Sequence, residues 1–375
     1  MSREFVTGRV WWRLIRNLNW PFLLVVLSLL LYGLLVLFSA TSLTDHVAFY
    51  WQLGYLLAGV VLAILVANLD YHIWRKLAYP FYLLSGLLLV AVLFVGTEVF
   101  GSQRWINFGP IPIQPSELAK IAVVLVLARE LTEKTLQRGP LTRFLRVLVL
   151  TIIPVLLVYE QPDLGTSIVL VFIFFWMSFF ARIRPLYLLS SLGVLLASTP
   201  LLWQFLHEYQ RDRIRVLFNP QVDPLGIGYN LRQSLITIGS GGFLGKGYLQ
   251  GTQKQLQFLP VRHTDFIFAV LAEELGFLGV AALLTLYAFF FYFCLLVVQQ
   301  AEDDFGALLV VGLASMWLCH IFINIGMTAG IMPVTGIWLP FFSYGGNNVL
   351  ISLIGVGLIF SVSLHRRRFL FYPEA

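Results

Sequence analysis

Asp265 stands where a long polar stretch ends and an apolar one begins, in the run His263-Thr264-Asp265-Phe266-Ile267-Phe268. A carboxylate at such a boundary has two uses. It can stabilise a helix start, accepting from first-turn N–H groups and opposing the helix dipole. It can also take a proton from a substrate hydroxyl, with burial raising its pKa and Arg262 or a metal lowering it. Glu273 and Glu274 follow eight and nine residues on, about 12 Å further along a straight helix at ~1.5 Å per residue. They cannot share a proton with Asp265. That excludes an aspartic dyad with it and, for the two alone, a glycosidase pair. Ion pairing or capping inside a helix bundle is the expectation for at least one of them.

Other charged residues stand in similar places. Glu117 and Lys120 are three apart, on one face of a helix opened by Pro115-Ser116 and continued by an apolar run. They form either a buried salt bridge, costly to build and to break, or part of a site in which Lys120 or Arg104 meets an anionic head group. Asp163, in Gln161-Pro162-Asp163-Leu164-Gly165, is a turn or cap residue, or a wall of the same cavity as Asp265. The run Gly239-Ser240-Gly241-Gly242-Phe243-Leu244-Gly245-Lys246-Gly247 is not a Walker loop, because Ser240 and Gly247 stand where that motif needs Gly and Ser or Thr. It is a flexible segment, or one that offers N–H groups and Lys246 to a diphosphate. The stretch from Pro333 to Asn348 is rich in Pro and Gly and carries Ser343, a candidate substrate contact. Irregular backbone at membrane depth needs burial in protein or a wet cavity. His320 and Asn324 share a helical face; a satisfied core histidine is the expectation for His320.

The elements that must position these groups are membrane spans. Of 375 residues, 59% are hydrophobic and 12% charged, and the mean hydropathy is +0.83. Soluble domains carry about 25% charged residues, so lipid must be the solvent for much of this chain. At roughly 20 apolar residues per crossing, ten spans are expected: about 20–40, 48–68, 77–96, 117–131, 146–160, 165–181, 186–206, 265–298 (bent near Gly276), 305–328 and 347–364. The fourth and fifth are short or polar-flanked. The fold class is an all-α polytopic membrane protein, a single integral membrane domain over 1–375 with a long extracytoplasmic loop at about 207–264. The first span lacks a cleavage site and reads as a retained helix, not a signal peptide. Arg3, Arg9, Arg13 and Arg16, then Arg75 and Lys76, Lys134, Arg138 and Arg143, Arg182 and Arg184, and Arg366, Arg367 and Arg368 all fall on one side. By the positive-inside rule that side is cytoplasmic, with both termini on it. The net charge of +6 is no argument for a nucleic-acid partner, and Cys294 and Cys319 lie in apolar runs that suggest neither disulfide nor metal.

Taken together, GSQRWINFG, QPSELAK, QPDLGTS, GSGGFLGKG, LPVRHTDFIFAVLAEELG and NIGM…MPVTGIWLPFFSYGG resemble the SEDS family. These are polytopic peptidoglycan glycosyltransferases of shape, elongation, division and sporulation. The resemblance runs from about residue 20 to 365 and is nearer the elongation member than the division member. It implies ten spans, polymerisation of lipid II into glycan strands at the outer face of the bacterial cytoplasmic membrane, and a class B penicillin-binding protein as transpeptidase partner, with other elongation-complex membrane proteins nearby. It maps the essential aspartate onto Asp265, and other functional positions onto Glu117, Lys120 and Asp163. The chain departs from the family pattern at Asn347 and Asn348, where serines are usual, and at His320, where Gln is common.

On that reading Asp265 deprotonates or orients the acceptor hydroxyl. Arg104, Lys120, Arg211, Arg213, Arg215 and Lys246 supply positive charge for the departing diphosphate, and Arg262 is a further candidate substrate contact. A divalent cation is admitted as a helper, although no metal-ligand spacing is present. The rival readings are a lipid II flippase, which needs charge along its whole path, and a scaffold that only recruits partners. Clustering of Asp163, Arg104, Lys246, Arg262 and Asp265 at one boundary favours the enzyme.

Overall fold

The computed structural model describes residues 18–42, 46–99, 102–108, 111–133, 139–252 and 263–365. Arg262 lies outside these residues, as do the basic residues expected at both termini and at 134 and 138.

The chain runs α1 (Trp20–Thr41), α2 (Val47–Asn68), α3 (Tyr71–Val95), β1 (Thr97–Val99), β2 (Ser102–Phe108), β3 (Ile111–Ile113), α4 (Pro115–Thr132), α5 (Pro140–Glu160) and α6 (Leu164–Phe180). It continues with α7 (Pro185–Ala197), α8 (Thr199–Phe205), α9 (Glu208–Phe218), a 3-10 turn (Pro220–Val222), α10 (Ile227–Gly241), α11 (Ile267–Gln300), α12 (Asp304–Thr328) and α13 (Gly346–Leu364). Local chemistry sets several starts. Asn19, Asp70, Asp163 and Asp303 each accept a first-turn N–H through the side chain. The Asp70 cap explains why α3 begins at Tyr71, earlier than the apolar run alone indicates. Proline opens α4 and α5, where its missing N–H costs nothing.

Each expected span corresponds to a helix or a bent helix pair. By length and apolarity, seven helices among the described residues are able to cross a membrane, or eight if α7 and α8, bent by 52° across Ser198, count as one broken span. Pro200 lies just past the bend and cannot donate to the preceding turn. The fifth span, expected to be short, is a full 21-residue helix. The two remaining positions are α6, with 17 residues, and α4, which carries Glu117, Lys120, Arg129 and Glu130. Both are shielded by protein: α4 packs against α3, α5 and α12, and α6 against α5 and α12.

Burial divides the bundle into an inner set and a lipid-facing set. α12 and α13 bury most of their surface, while α2, α3 and α5 expose leucines, valines and isoleucines over much of theirs. In water that exposure would be untenable; in hydrocarbon it is neutral. The chain is a multi-pass membrane protein.

One feature departs from an all-α plan, and one from the expected loop. A small antiparallel sheet, in the order β1-β2-β3, joins α3 to α4 at one end of the bundle. It is built from the GSQRWINFG region, where alternating residues favour extended backbone. The expected loop at 207–264 also has structure of its own, in α9, the 3-10 turn and α10. The expected bend near Gly276 is present: this residue holds φ 62° and ψ −159° inside α11. Gly245 packs backbone to backbone against it, and Phe277 N and Leu278 N donate to the carbonyls of Gly242 and Phe243 at 3.0 and 3.2 Å. A helix broken at its bilayer boundary leaves amides free, and the glycine-rich segment takes them up.

Candidate functional site

Asp265 lies two residues before α11, on the end of the bundle that also holds the sheet, the α5–α6 turn and the start of α4. It is partly buried. Burial raises its carboxyl to a pKa of about 6, against lowering by Arg213, a hydrogen bond from Thr264, and Arg104. Its main-chain oxygen accepts from Asn324 Nδ2 at 3.0 Å, and that amide also reaches Ile337 O at 2.7 Å. Gly336, at φ 77°, brings the 329–345 segment against the carboxylate: a Cβ there would lie 3.6 Å from Asp265 Oδ2. Ser343 pins the approach. Its Oγ donates to Thr264 O at 2.7 Å and accepts from Leu339 N at 2.8 Å.

Arg104, on β2, reaches over the α5–α6 turn. Its guanidinium donates to Gln161 O at 3.1 Å and to Pro162 O, and its Nη1 is 3.9 Å from Asp163 Oδ1. Asp163 does two things at once. It caps α6, accepting from Thr166 N at 3.1 Å and Thr166 Oγ1 at 2.9 Å, and it faces Arg104 and Gln114. The α9 helix lays Tyr209 on the same turn, its hydroxyl 2.6 Å from Pro162 O. Arg213 lies over the Tyr209 ring at 5.5 Å. Burial, and then the neighbouring Arg104, hold the Arg213 guanidinium below its ordinary pKa. Its Nε is enclosed and has no hydrogen-bond partner among the described residues. Two guanidiniums on separate elements thus act through space on the Asp265 carboxylate.

Beneath them is a second polar group, built on α4, α12 and the 329–345 segment. Lys120 Nζ is 2.8 Å from Glu117 Oε1 and 3.0 Å from His320 Nε2. An ammonium has only protons to offer, so His320 accepts here through Nε2 and is neutral. Trp338 Nε1 donates to the same Glu117 oxygen at 3.3 Å, and the Lys120 ammonium lies 5.2 Å from the Trp338 ring centroid. Glu117 Oε2, Ser116 Oγ, His320 Nδ1 and Asn324 Oδ1 are all enclosed without a partner among the described residues. Buried polar atoms are paired in about 90% of cases or more. Four orphans on facing elements mark a place built to receive polar groups. Among the described residues no cluster of three or more His, Cys, Asp or Glu is arranged to hold a metal ion.

The structure therefore brings Asp265, Arg104, Asp163 and Ser343 to one end, with Glu117 and Lys120 just below. Lys246 is placed elsewhere. Its Nζ is 2.8 Å from Glu273 Oε1 and 2.6 Å from Thr252 Oγ1. Glu274 accepts from Ser39 Oγ at 2.6 Å. These carboxylates hold the glycine-rich segment and α1 against the break in α11. Tyr209 was not singled out in the sequence and no local pattern marks it; Gln114 and Trp338 lie inside quoted motifs but were given no role there. Of the three arginines on α9, only Arg213 acts on Asp265; Arg211 and Arg215 bind Glu208, Asp212 or nearby carbonyls.

Comparison with known proteins bears on the whole chain. Relatives include the peptidoglycan glycosyltransferase MrdB of Escherichia coli K12, 41% identical over 94% of this chain and 95% of that protein. Among solved structures, a chain of a peptidoglycan synthase complex, described as coordinating polymerization and crosslinking, superposes with a TM-score of 0.82 at 35% identity, covering 94% of this chain and 99% of that one. The rod shape determining protein RodA of Thermus thermophilus does so with a TM-score of 0.71 at 32% identity, covering 94% and 98%. A family model described as FtsW/RodA/SpoVE cell cycle protein matches residues 19–368. A match of that extent, on a bundle of the same architecture, places the chain in the FtsW/RodA/SpoVE family.

Proposed function

We propose that this protein is a peptidoglycan glycosyltransferase that polymerises lipid II into glycan strands, with Asp265 as its base. The observation that carries this reading is that Arg104 and Arg213, from separate elements, lie near enough for their charges to act on the Asp265 carboxyl at one end of the bundle. An acceptor sugar hydroxyl gives its proton to the Asp265 carboxylate. Its oxygen bonds to the anomeric carbon of the donor, and the bond from that carbon to the diphosphate oxygen breaks. The lipid diphosphate leaves with the bonding pair, and its charge falls to Arg104 and Arg213. A carboxylate with a pKa of about 6 is ionised at neutral pH and is a stronger base than an exposed one. Glu117, Lys120 and His320 form the floor that fixes the 329–345 segment and, through Asn324, the backbone at Asp265.

A lipid translocase is disfavoured by the distribution of charge. No charged residue lies between Lys120 and Arg129 of α4, or between Asp304 and His320 of α12. The reading extends to place. Residues 1–375 form a single integral membrane domain of a bacterial cytoplasmic membrane, both termini are cytoplasmic, and the Asp265 end faces outward. A class B penicillin-binding protein is the transpeptidase partner, in keeping with the synthase complex whose chain this one resembles.

The test is polymerisation of lipid II by the purified protein, read as glycan strands on a gel. Wild type produces strands; Asp265→Asn and Asp265→Ala produce none. Wild-type rates from either variant would remove Asp265 from the chemistry.

A further inference from the structure

At the opposite end of the bundle from Asp265, the ends of α4, α5, α6, α11 and α12 leave a cavity of about 620 Å³. Ligand pockets commonly measure about 300–1,000 Å³, so this one is large enough to hold a molecule. Arg143 of α5 and Arg182, just past α6, line it together with Glu133 and Asp304. Phe180 and Leu308 form part of its apolar wall.

Glu130 and Asp304 act on Arg143 through space without reaching it closely enough to pair. Glu133 is drawn off by Arg129, at 3.8 Å from its Nε. Neither Arg143 nor Arg182 pairs with a carboxylate among the described residues, and Arg143 Nε is enclosed without a hydrogen-bond partner. A guanidinium offers five donors in a planar fork that suits phosphate oxygens. Two cations thus stand over one unspent acid, Asp304, with a greasy strip beside them. A fully anionic ligand would meet Asp304, and an uncharged one would leave the Arg143 donors unused.

We infer that this cavity binds a phosphate ester, seated on Arg143 and Arg182. In the membrane that ester is a phospholipid head group, with its ammonium or hydroxyl toward Asp304 and its chains along Phe180 and Leu308. The site is separate from the Asp265 end and does not depend on the chemistry there.

Native mass spectrometry of the delipidated full-length protein tests this. Phosphatidylethanolamine, phosphatidylglycerol and diacylglycerol are titrated in turn. The two phospholipids are expected to form one-to-one adducts, with diacylglycerol at least about tenfold weaker, the scale of losing a hydrogen bond to a charged group. The double substitution Arg143→Gln with Arg182→Gln weakens the phospholipid adduct about tenfold or more, whereas Arg143→Lys largely retains it. If the double variant fails to fold, Arg182→Gln alone, at the exposed rim, makes the same comparison. Displacement of lipid by millimolar inorganic phosphate would assign the site to phosphate from any source; persistence of the adduct would assign it to the lipid. Equal binding of diacylglycerol and phospholipid would overturn the inference. So would unchanged lipid binding by the double glutamine variant, or by Arg182→Gln, in a protein that melts at the wild-type temperature.

Discussion

The side-chain amide of Asn324 donates to the main-chain oxygen of Asp265 at 3.0 Å, tying α12 to the start of α11. The same amide holds Ile337 O at 2.7 Å. One side chain therefore fixes both the start of α11 and the irregular segment that faces it. Replacing Asn324 with alanine leaves two buried carbonyls unpaired, each worth about 1–3 kcal/mol. The expected result is a polymerisation rate reduced about 10- to 100-fold by misplacement of the carboxylate. Steady-state rates with lipid II check this; an unchanged rate would show that Asp265 is held by its other neighbours.

Glu117 and Lys120 are a buried pair, so removing one partner is worse than removing both. Lys120→Met is expected to destabilise the protein by about 3–5 kcal/mol, because it leaves Glu117 facing only Trp338. Glu117→Gln combined with Lys120→Met should recover most of that loss. Thermal unfolding in detergent distinguishes the outcomes, and equal melting temperatures for the single and double variants would contradict a shared interaction.

The base must be ionised to accept a proton. Since the Asp265 pKa is about 6, kcat/KM should fall as pH drops through about 6 and level off above it. Arg213 lowers this pKa, so Arg213→Gln should move the acid limb to higher pH as well as reduce the rate. A profile flat between pH 5 and 7 would place the rate-limiting proton elsewhere.

Gly276 holds a left-handed φ of 62°, and a Cβ on it would collide with the Gly245 amide nitrogen. Alanine there costs about 1–2 kcal/mol for the backbone alone, before the collision is relieved. Gly276→Ala is expected to lower the melting temperature and to detach the Gly242–Gly247 segment, making it accessible to protease. Protection of that segment at the wild-type level would show that the break tolerates a side chain.

Much of the architecture was legible from composition and spacing. Runs of about 20 apolar residues report spans directly, because lipid forces every backbone group to be paired within its own helix. Gly276 was legible as a bend. That Glu117 and Lys120, three residues apart, share one helix face follows from helical geometry; that they pair with each other does not. The sheet at 97–113 was not legible, because short strands of mixed composition carry too weak a period to stand out.

What the sequence determined by itself is where polar groups are tolerated: it gathers Asp265, Asp163, Arg104, Glu117 and Lys120 at span ends. Which of them meet was decided by the tertiary structure. Arg211, Arg213 and Arg215 are equivalent on paper, yet of the three only Arg213 has its charge acting on Asp265. Lys246, equally plausible as a diphosphate ligand, is instead held by Glu273. The physical reason is range. Periodicity says which face of an element is buried, whereas the choice among like charges depends on how helices far apart in the chain pack, and on which acid each cation then finds within reach.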